Sequence, residues 1–194
     1  MSIHPDDYDI DAIRAEWIGK IVNQSRGKFP VEYDPIRRHC HMTGDANPLF
    51  LDREFAQNDG PHGDIVVPPS LLPIYFSGKG PWPKTPRPKV TDAEKQKPKR
   101  PFFTLGIPTP GDRGINMGTE WEFLEPIRVG DQLRSEQVVS DVFIKGIKLD
   151  PQAVWIKSAT NIINQNDDIV AIWHNTTLVH RSPKQVKADE EAAA

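Results

Sequence analysis

Thr43-Gly44-Asp45-Ala46-Asn47-Pro48-Leu49-Phe50-Leu51-Asp52 is the stretch on which the fold assignment of this chain depends. Its first half is rich in Gly, Asp, Asn and Pro, each of which favours a tight turn for its own reason. An Asp in a turn accepts a hydrogen bond from the local backbone more often than it takes part in catalysis. The stretch by itself therefore predicts a turn, and the role of Asp45 depends on what surrounds it.

Helical signals fill the first third of the chain. Apolar residues recur with helical spacing from Ile10 to Ile21, and Asp9 precedes them as a candidate N-cap. Asp34-Pro35 predicts the start of a second helix, because Asp caps helices and proline is tolerated at the first helical position. We expect this helix to end near Gly44. Asp52 is a candidate cap for a further short helical turn.

Beyond the motif the pattern changes. A short apolar run at residues 65–67 leads into Pro68-Pro69 and then into a second apolar segment. We expect that segment to form a short buried helix from about Ser70, since proline is tolerated in a first helical turn. Twelve of the 19 prolines fall between residues 61 and 110, and periodicity is almost absent after residue 78. Residues 79–110 are therefore expected to be a long Pro/Lys-rich insertion loop.

The last third of the chain has the period of β-strands. From Ile115 to Phe123 apolar and polar residues alternate, which predicts a strand with one buried face. Three further strands are expected at residues 132–144, 153–164 and 169–180, separated by turn-forming residues. Helices followed by an antiparallel meander predict an α+β domain in which one sheet wraps around a central helix.

Composition limits the possible functions. With 194 residues, 37% hydrophobic and 26% charged, the chain suits a single domain over 1–194 that ends in a flexible tail at 184–194. A net charge of -3 argues against nucleic-acid binding, although residues 79–101 carry eight Lys or Arg against two acidic residues. Cys40 is the single cysteine, which excludes disulfides and favours the cytoplasm. The sequence has no run of about 18 apolar residues, so no membrane span is predicted.

The stretch at 43–52 resembles the T-G-D-x-N-P-x-H signature of the MaoC-like hydratases and dehydratases, which have the hot-dog fold. The resemblance continues through Gly63 to Pro69, which is similar to a G-x-I-V-x-P-P segment, and through the expected strands. It implies a single hot-dog domain that acts on an acyl thioester of coenzyme A or of a carrier protein. In this family an Asp and a His add or remove water across the C2–C3 bond, and a backbone N–H binds the thioester oxygen. The thioester is then the substrate, and no cofactor is expected.

The sequence departs from this signature at two places. Asp45 and Asn47 are present, but Phe50 stands where the family has its histidine, and a phenyl ring transfers no proton. Pro68-Pro69 stands where the family has His-Gly, and proline has no backbone N–H. Loss of an oxyanion donor costs about 2.7 to 4 kcal/mol, and loss of a general acid or base costs about 10²- to 10⁴-fold in rate. A self-sufficient active site of the usual design is therefore not expected.

The resemblance also implies a partner. In two-component members of the family, a hot-dog unit with P-P in place of His-Gly has lost the catalytic residues and shapes the acyl pocket beside a unit that keeps them. We expect this chain to be such a subunit of an enoyl-CoA hydratase or (3R)-hydroxyacyl thioester dehydratase. Two alternatives remain. One is a self-sufficient homodimer that uses Asp45 with a non-standard base, for which His39, His41 and His62 are candidates; the other is a non-enzymatic acyl-thioester binding or scaffold protein.

The candidate site residues form two groups. Asp45 and Asn47 mark the ancestral catalytic motif. The residues expected to line the acyl or coenzyme A pocket are Val67, Pro68, Pro69, Ser70, Tyr75, Lys97, Lys99 and Arg100. The last three are included because clustered cations attract phosphate, although the same composition also suits a solvated loop. No histidine spacing typical of a metal site is present, and no metal is expected.

Overall fold

The computed structural model describes residues 3–78 and 104–193. Along the described chain a 3₁₀ helix at Pro5–Asp7 comes first, and the α-helices and β-strands that follow are α1 (Ile10–Trp17), β1 (Ile21–Arg26), α2 (Tyr33–Thr43), α3 (Pro48–Leu51), α4 (Arg53–Asn58), α5 (Ile74–Ser77), β2 (Arg113–Phe123), β3 (Arg134–Ile144), β4 (Val154–Ile163), β5 (Ile169–His180) and α6 (Pro183–Ala193). The strands form one antiparallel sheet in the order β1-β3-β4-β5-β2. The predicted α+β class with an antiparallel sheet is confirmed.

The first helix is shorter than its apolar spacing suggests. Asp9 caps α1 as predicted, because its Oδ1 accepts hydrogen bonds from the backbone N–H groups of Asp11 and Ala12. The helix ends at Trp17, and Ile21 begins strand β1. The sequence of β1 is mostly polar and does not alternate, so this strand was missed. It is held by pairing with β3 and not by a local pattern.

The second helix begins two residues earlier than Asp34-Pro35 predicted. Its N-cap is Glu32, and Asp34 lies in the first turn, where its carboxylate accepts hydrogen bonds from Arg37 and Arg38. The predicted end is confirmed: Gly44 is the C-cap, with φ of 71° in the left-handed region. Asp52 caps α4 as predicted, by accepting from the N–H of Phe55.

The segment after Pro68-Pro69 is only partly helical. The expected helix from Ser70 is wrong at its start, because the described helix α5 covers only Ile74–Ser77, with Pro73 as its N-cap residue. The N–H of Leu71 donates to the Pro68 carbonyl and closes a turn in place of a first helical turn. Tyr75 is 65% exposed, so this segment is not buried on all sides.

Strand β2 lies at the edge of the sheet and contains a bulge. Its pairing with β5 shifts register between Asn116 and Gly118, which leaves Met117 unpaired. A bulge moves the following residues to the other face, so Ile115 and Trp121 lie on opposite faces, not on one. The prediction of a single buried face on β2 is therefore wrong, and Ile115, Met117 and Phe123 are each almost half exposed.

The end of the chain is helical. Residues 184–194 were expected to be a flexible tail, but α6 covers Pro183–Ala193, and its Asp189 accepts a hydrogen bond from Arg181. The end of the expected insertion is also packed into the domain, since Ile107 is 2% exposed. Residues 79–103 lie outside the described part of the chain.

The core has two clusters on the sheet. In the first, Ile36 and Cys40 of α2 pack with Leu133 and Ile162. In the second, the apolar face of α1 covers the other end of β3 and β4. Burying one aliphatic side chain stabilises the fold by about 1.5 to 3 kcal/mol, so both helices are fixed to the sheet by several such contacts. The turn after α2, which carries the sequence motif, is fixed with them.

Candidate functional site

The motif after α2 is a hydrogen-bonded turn that leads into α3. The Asp45 N–H donates to the Cys40 carbonyl, and Asp45 Oδ1 accepts from the Asn47 N–H at 3.0 Å. Asn47 Oδ1 accepts from the Leu49 N–H at 3.0 Å and caps α3. Both side chains therefore shape the backbone that presents Phe50, as turn chemistry alone predicts.

The electrostatics of this turn involve Cys40. Burial raises the pKa of the Cys40 thiol, and the negative charge of Asp45 raises it further. The thiol is 1% exposed and therefore remains protonated at neutral pH, as a small apolar group of the core. The Asp45 carboxylate is only partly buried and lies close enough to Cys40 to affect it.

An apolar cavity of about 380 Å³ lies between α3, the strand-like segment at 65–69 and the loop after β2. Phe50, Pro68 and Pro69 all line it, so the two places where the chain departs from the family signature meet in one wall. The remaining lining residues are Leu49, His62, Val66, Val67, Pro73, Phe123, Leu124, Glu125, Pro126 and Ile127.

Backbone hydrogen bonds fix the wall of this cavity. The Val67 N–H donates to the Ile127 carbonyl at 2.8 Å, and the Val129 N–H donates to the Ile65 carbonyl at 3.3 Å. Two separate segments of the chain are thereby held side by side, and the cavity lies along their join. Next to this wall the sheet carries a row of stacked aromatic rings, in which Trp121 stacks on both Phe123 and Trp173.

The expected pocket residues are only partly brought together. Val67, Pro68 and Pro69 line the cavity, whereas Ser70 is exposed just beyond the cavity wall and Tyr75 is largely exposed. Lys97, Lys99 and Arg100 lie outside the described residues.

The three candidate bases have different surroundings. His62 lines the cavity, and its carbonyl accepts a hydrogen bond from Arg128 Nε at 3.1 Å. His39 has Nε2 at 2.8 Å from Ser70 Oγ, and His41 is exposed. Only His62 shares a cavity with Phe50.

Sequence reasoning missed the wall that follows β2. Phe123, Leu124, Glu125, Pro126 and Ile127 come from the end of a strand that was expected to end in an ordinary turn. Glu125 is the acidic residue among the lining residues, and its N–H donates to the Val170 carbonyl. A proline three residues after the end of a long strand was the available signal, but it does not indicate which segment the loop will pack against.

Among the described residues, no group of three or more His, Cys, Asp and Glu side chains is arranged to hold a metal ion. No helix in residues 3–78 or 104–193 is long and apolar enough to cross a membrane.

Comparison with known proteins identifies the family. The family model of the FAS1-like dehydratase domain region matches residues 16–173. A probable enoyl-CoA hydratase alpha subunit of Thermomonospora curvata is 22% identical over 177 residues, covering 90% of this chain and 53% of that protein. The chain thus spans about half the length of this curated relative.

Solved structures show the same fold. The ChsH1-ChsH2 complex from Mycobacterium tuberculosis matches with a TM-score of 0.59 and 20% identity, over 89% of this chain and 89% of the matched one. A MaoC-like dehydratase from Rhodospirillum rubrum matches with a TM-score of 0.53 and 19% identity, over 86% and 94%. These matches confirm the hot-dog fold and the resemblance to the MaoC-like proteins. The chain belongs to the FAS1-like dehydratase region family.

Proposed function

We propose that this chain is the non-catalytic hot-dog subunit of an enoyl-CoA hydratase or (3R)-hydroxyacyl thioester dehydratase. It shapes the acyl pocket beside a second MaoC-like subunit that carries the Asp/His pair. One observation supports this most strongly: Phe50, Pro68 and Pro69 lie together in the wall of an apolar cavity. Where the family resemblance implies proton transfer and an oxyanion donor, this chain offers an apolar surface.

Hydration needs two groups near one water. One group activates the water, and the other delivers a proton to the adjacent carbon. In this chain one oxygen of Asp45 accepts from the Asn47 N–H, and Phe50 cannot take part in proton transfer. A partner with an intact D-x-N-P-x-H therefore supplies the chemistry, and the cavity of this chain holds part of the acyl group.

The outer edge of β2, which pairs with no strand among the described residues, is the surface proposed for this partner. An edge strand presents unpaired N–H and C=O groups that pair with a strand of another chain. On β2 this edge is long, and Ile115, Met117 and Phe123 are exposed on it. Phe123 also lines the cavity, so a partner bound at β2 lies next to the acyl pocket.

In this proposal the substrate is the coenzyme A thioester itself, with no separate cofactor, and the protein acts in the cytoplasm. Lys97, Lys99 and Arg100 contact the phosphates of coenzyme A, since clustered cations bind phosphate. Tyr75, which is exposed, contacts the substrate or the partner near the pocket.

The test compares the chain alone with the chain plus its partner. Hydration of trans-2-octenoyl-CoA is measured as the loss of absorbance of the conjugated thioester. We expect no hydration by the chain alone, and hydration when a hot-dog subunit with an intact D-x-N-P-x-H is added. Asp→Asn in the motif of the partner should abolish the activity, whereas Asp45→Asn should change it little. Hydration by the chain alone that Asp45→Asn abolishes would overturn the proposal. Thioester binding without turnover in either preparation would favour a scaffold.

A self-sufficient homodimer is the second candidate, and His62 favours it. His62 lines the same cavity as Phe50 and is an imidazole, so it provides the type of group that Phe50 replaces. If this candidate holds, the chain alone is active and His62→Gln lowers kcat by about 10²-fold or more. His41→Gln is the matched control, because His41 is exposed and does not line the cavity.

A further inference from the structure

His39 and Ser70 join α2 to the turn that follows Pro68-Pro69. His39 Nε2 and Ser70 Oγ lie 2.8 Å apart, although the residues are 31 positions apart in sequence. The proposed function assigns neither side chain a role. Pro69 and Pro73 both line the cavity, so Ser70 lies between two wall residues, at the rim. Ser70 is exposed, so a ligand can reach its side chain.

Backbone hydrogen-bond donors are scarce along this rim. Pro68, Pro69 and Pro73 have no N–H group. The Leu71 N–H is used, because it donates to the Pro68 carbonyl at 2.9 Å. Within residues 68–73 the main-chain donors left for a ligand carbonyl are the N–H groups of Ser70 and Leu72, which have no main-chain acceptor among the described residues, and the side-chain donor of this segment is the Ser70 hydroxyl. An unpaired carbonyl oxygen that leaves water costs free energy, so a donor here affects affinity.

In the tautomer of His39 that carries its proton on Nε2, the contact leaves the Ser70 proton available. A neutral imidazole with its proton on Nε2 donates to Ser70 Oγ, and the hydroxyl then has one O–H to donate elsewhere. Since His39 lies within α2, which packs through Ile36 and Cys40 in the core, its ring comes from a fixed element. A hydroxyl held in this way is pre-organised, so the Ser70 side chain loses less rotational entropy when a ligand binds.

We propose that the Ser70 hydroxyl, positioned by His39, donates a hydrogen bond to the thioester carbonyl oxygen of an acyl-coenzyme A whose acyl chain occupies the cavity. This inference rests on the proposed function, because it requires a thioester in the cavity. Ser70 then touches the substrate, and His39 is a positioning residue. The hydroxyl replaces a backbone donor that Pro69 cannot provide.

The test uses two ligands that differ only at the carbonyl. Octanoyl-CoA has the thioester oxygen, and its thioether analogue S-octyl-CoA lacks it. Calorimetry on the full chain should show about tenfold tighter binding of octanoyl-CoA, which is the effect of one hydrogen bond of ordinary strength. Ser70→Ala should reduce this ratio to about one by weakening octanoyl-CoA alone, and Ser70→Thr should preserve it. Ser182→Ala is the matched control, because Ser182 Oγ caps the last helix through Gln185.

A spectroscopic signature separates positioning from stability. With octanoyl-CoA labelled at the carbonyl carbon, infrared spectra should show a shift of the carbonyl band to lower frequency on binding. Ser70→Ala should remove the shift, and His39→Phe should reduce it while the unfolding midpoint changes little. Equal binding of the two ligands by the unaltered chain would overturn the inference and leave the proposed function standing. An unchanged ratio in Ser70→Ala would show that the His39–Ser70 contact is only a surface link. If neither ligand binds to the chain alone or to the chain with its hot-dog partner, the proposed function fails as well.

Discussion

Arg181 Nη2 lies 2.7 Å from Asp150 Oδ1, and the two residues are only 5% and 1% exposed. Asp150 Oδ2 also accepts from the Arg181 N–H, and Arg181 Nη1 reaches Asp189 of α6 at 2.6 Å. This buried pair joins the loop between β3 and β4 to the end of β5 and to the last helix. A charge left alone in such a place is costly, because it has lost its water and its partner.

Asp150→Asn should therefore destabilise the fold strongly. The substitution keeps the shape but leaves the Arg181 guanidinium without its main countercharge, and breaking a buried pair in this way costs about 3 to 5 kcal/mol. Urea unfolding followed by circular dichroism measures the change. Glu191→Gln, which removes an exposed pair with Lys187, should cost less than about 1 kcal/mol. Equal changes in the free energy of unfolding for the two substitutions would show that the buried pair contributes no more to stability than the exposed pair.

The same pair should make stability depend on acid pH. Burial alone raises the pKa of Asp150, but the hydrogen bonds from Arg181 and its charge outweigh burial and lower it. A folded-state pKa below the unfolded value of about 3.9 stabilises the fold above that pH, and the contribution is lost as pH falls through the folded pKa. The difference in unfolding free energy between the unaltered chain and Asp150→Asn should thus be constant from pH 7 to pH 5 and shrink below about pH 4. A difference that does not change between pH 5 and pH 3 would contradict this.

Tyr8 should titrate late. Burial raises its pKa to about 12 from 10.0, and its hydroxyl has no hydrogen-bond partner among the described residues. Because the folded pKa is raised, its stabilising contribution is present below pH 10 and is lost as pH rises through 12. Absorbance titration should show a tyrosine that ionises near pH 12. Tyr8→Phe should remove this late step and should not lower stability at pH 7, since it removes an unpaired buried hydroxyl. A loss of more than about 1 kcal/mol would indicate a hydrogen bond that Phe cannot replace.

Met117→Lys should prevent association at the edge of β2. Met117 is the bulge residue of this strand and is 49% exposed, so a charge is tolerated in the free chain. A lysine on an edge strand opposes pairing with a second strand. Light scattering should show weaker association with the hot-dog partner, while the unfolding midpoint stays the same. Leu149→Lys is the control, because Leu149 is 54% exposed in the loop between β3 and β4. If both substitutions weaken association equally, β2 is not the interface.

Local signals predicted the elements whose ends are coded by a few residues. Asp9 and Asp52 cap helices, and Gly44 ends α2, because caps and left-handed glycines act within one turn of the chain. The strand β1 and the buried faces of β2 could not be predicted in this way. β1 depends on pairing with β3, and the bulge at Met117 exchanges the faces of β2 without changing its alternation.

The candidate site was predictable to a similar extent. Phe50 of the motif lines the same cavity as Pro68 and Pro69, whereas Asp45 and Asn47 are not among the residues that line it. The motif could not indicate the wall at 123–127 or the contact of His39 with Ser70. Both arise where segments far apart in sequence pack together, and periodicity contains no information about such pairs.

Phe50→His tests whether the lost histidine alone explains the expected inactivity. The imidazole would replace an apolar ring in the cavity wall, beside Pro68 and Pro69, which still provide no N–H. We expect no hydration of trans-2-octenoyl-CoA by this variant alone, because Asp45, the second group of the Asp/His pair, stays hydrogen-bonded within its own turn. Binding of octanoyl-CoA should weaken by roughly tenfold, since the acyl chain must then desolvate a polar group. Phe50→Leu, which keeps the wall apolar, should weaken binding less, as measured by calorimetry. Hydration by Phe50→His alone would show that the chain retains the rest of the catalytic machinery, and that Phe50 is the single defect.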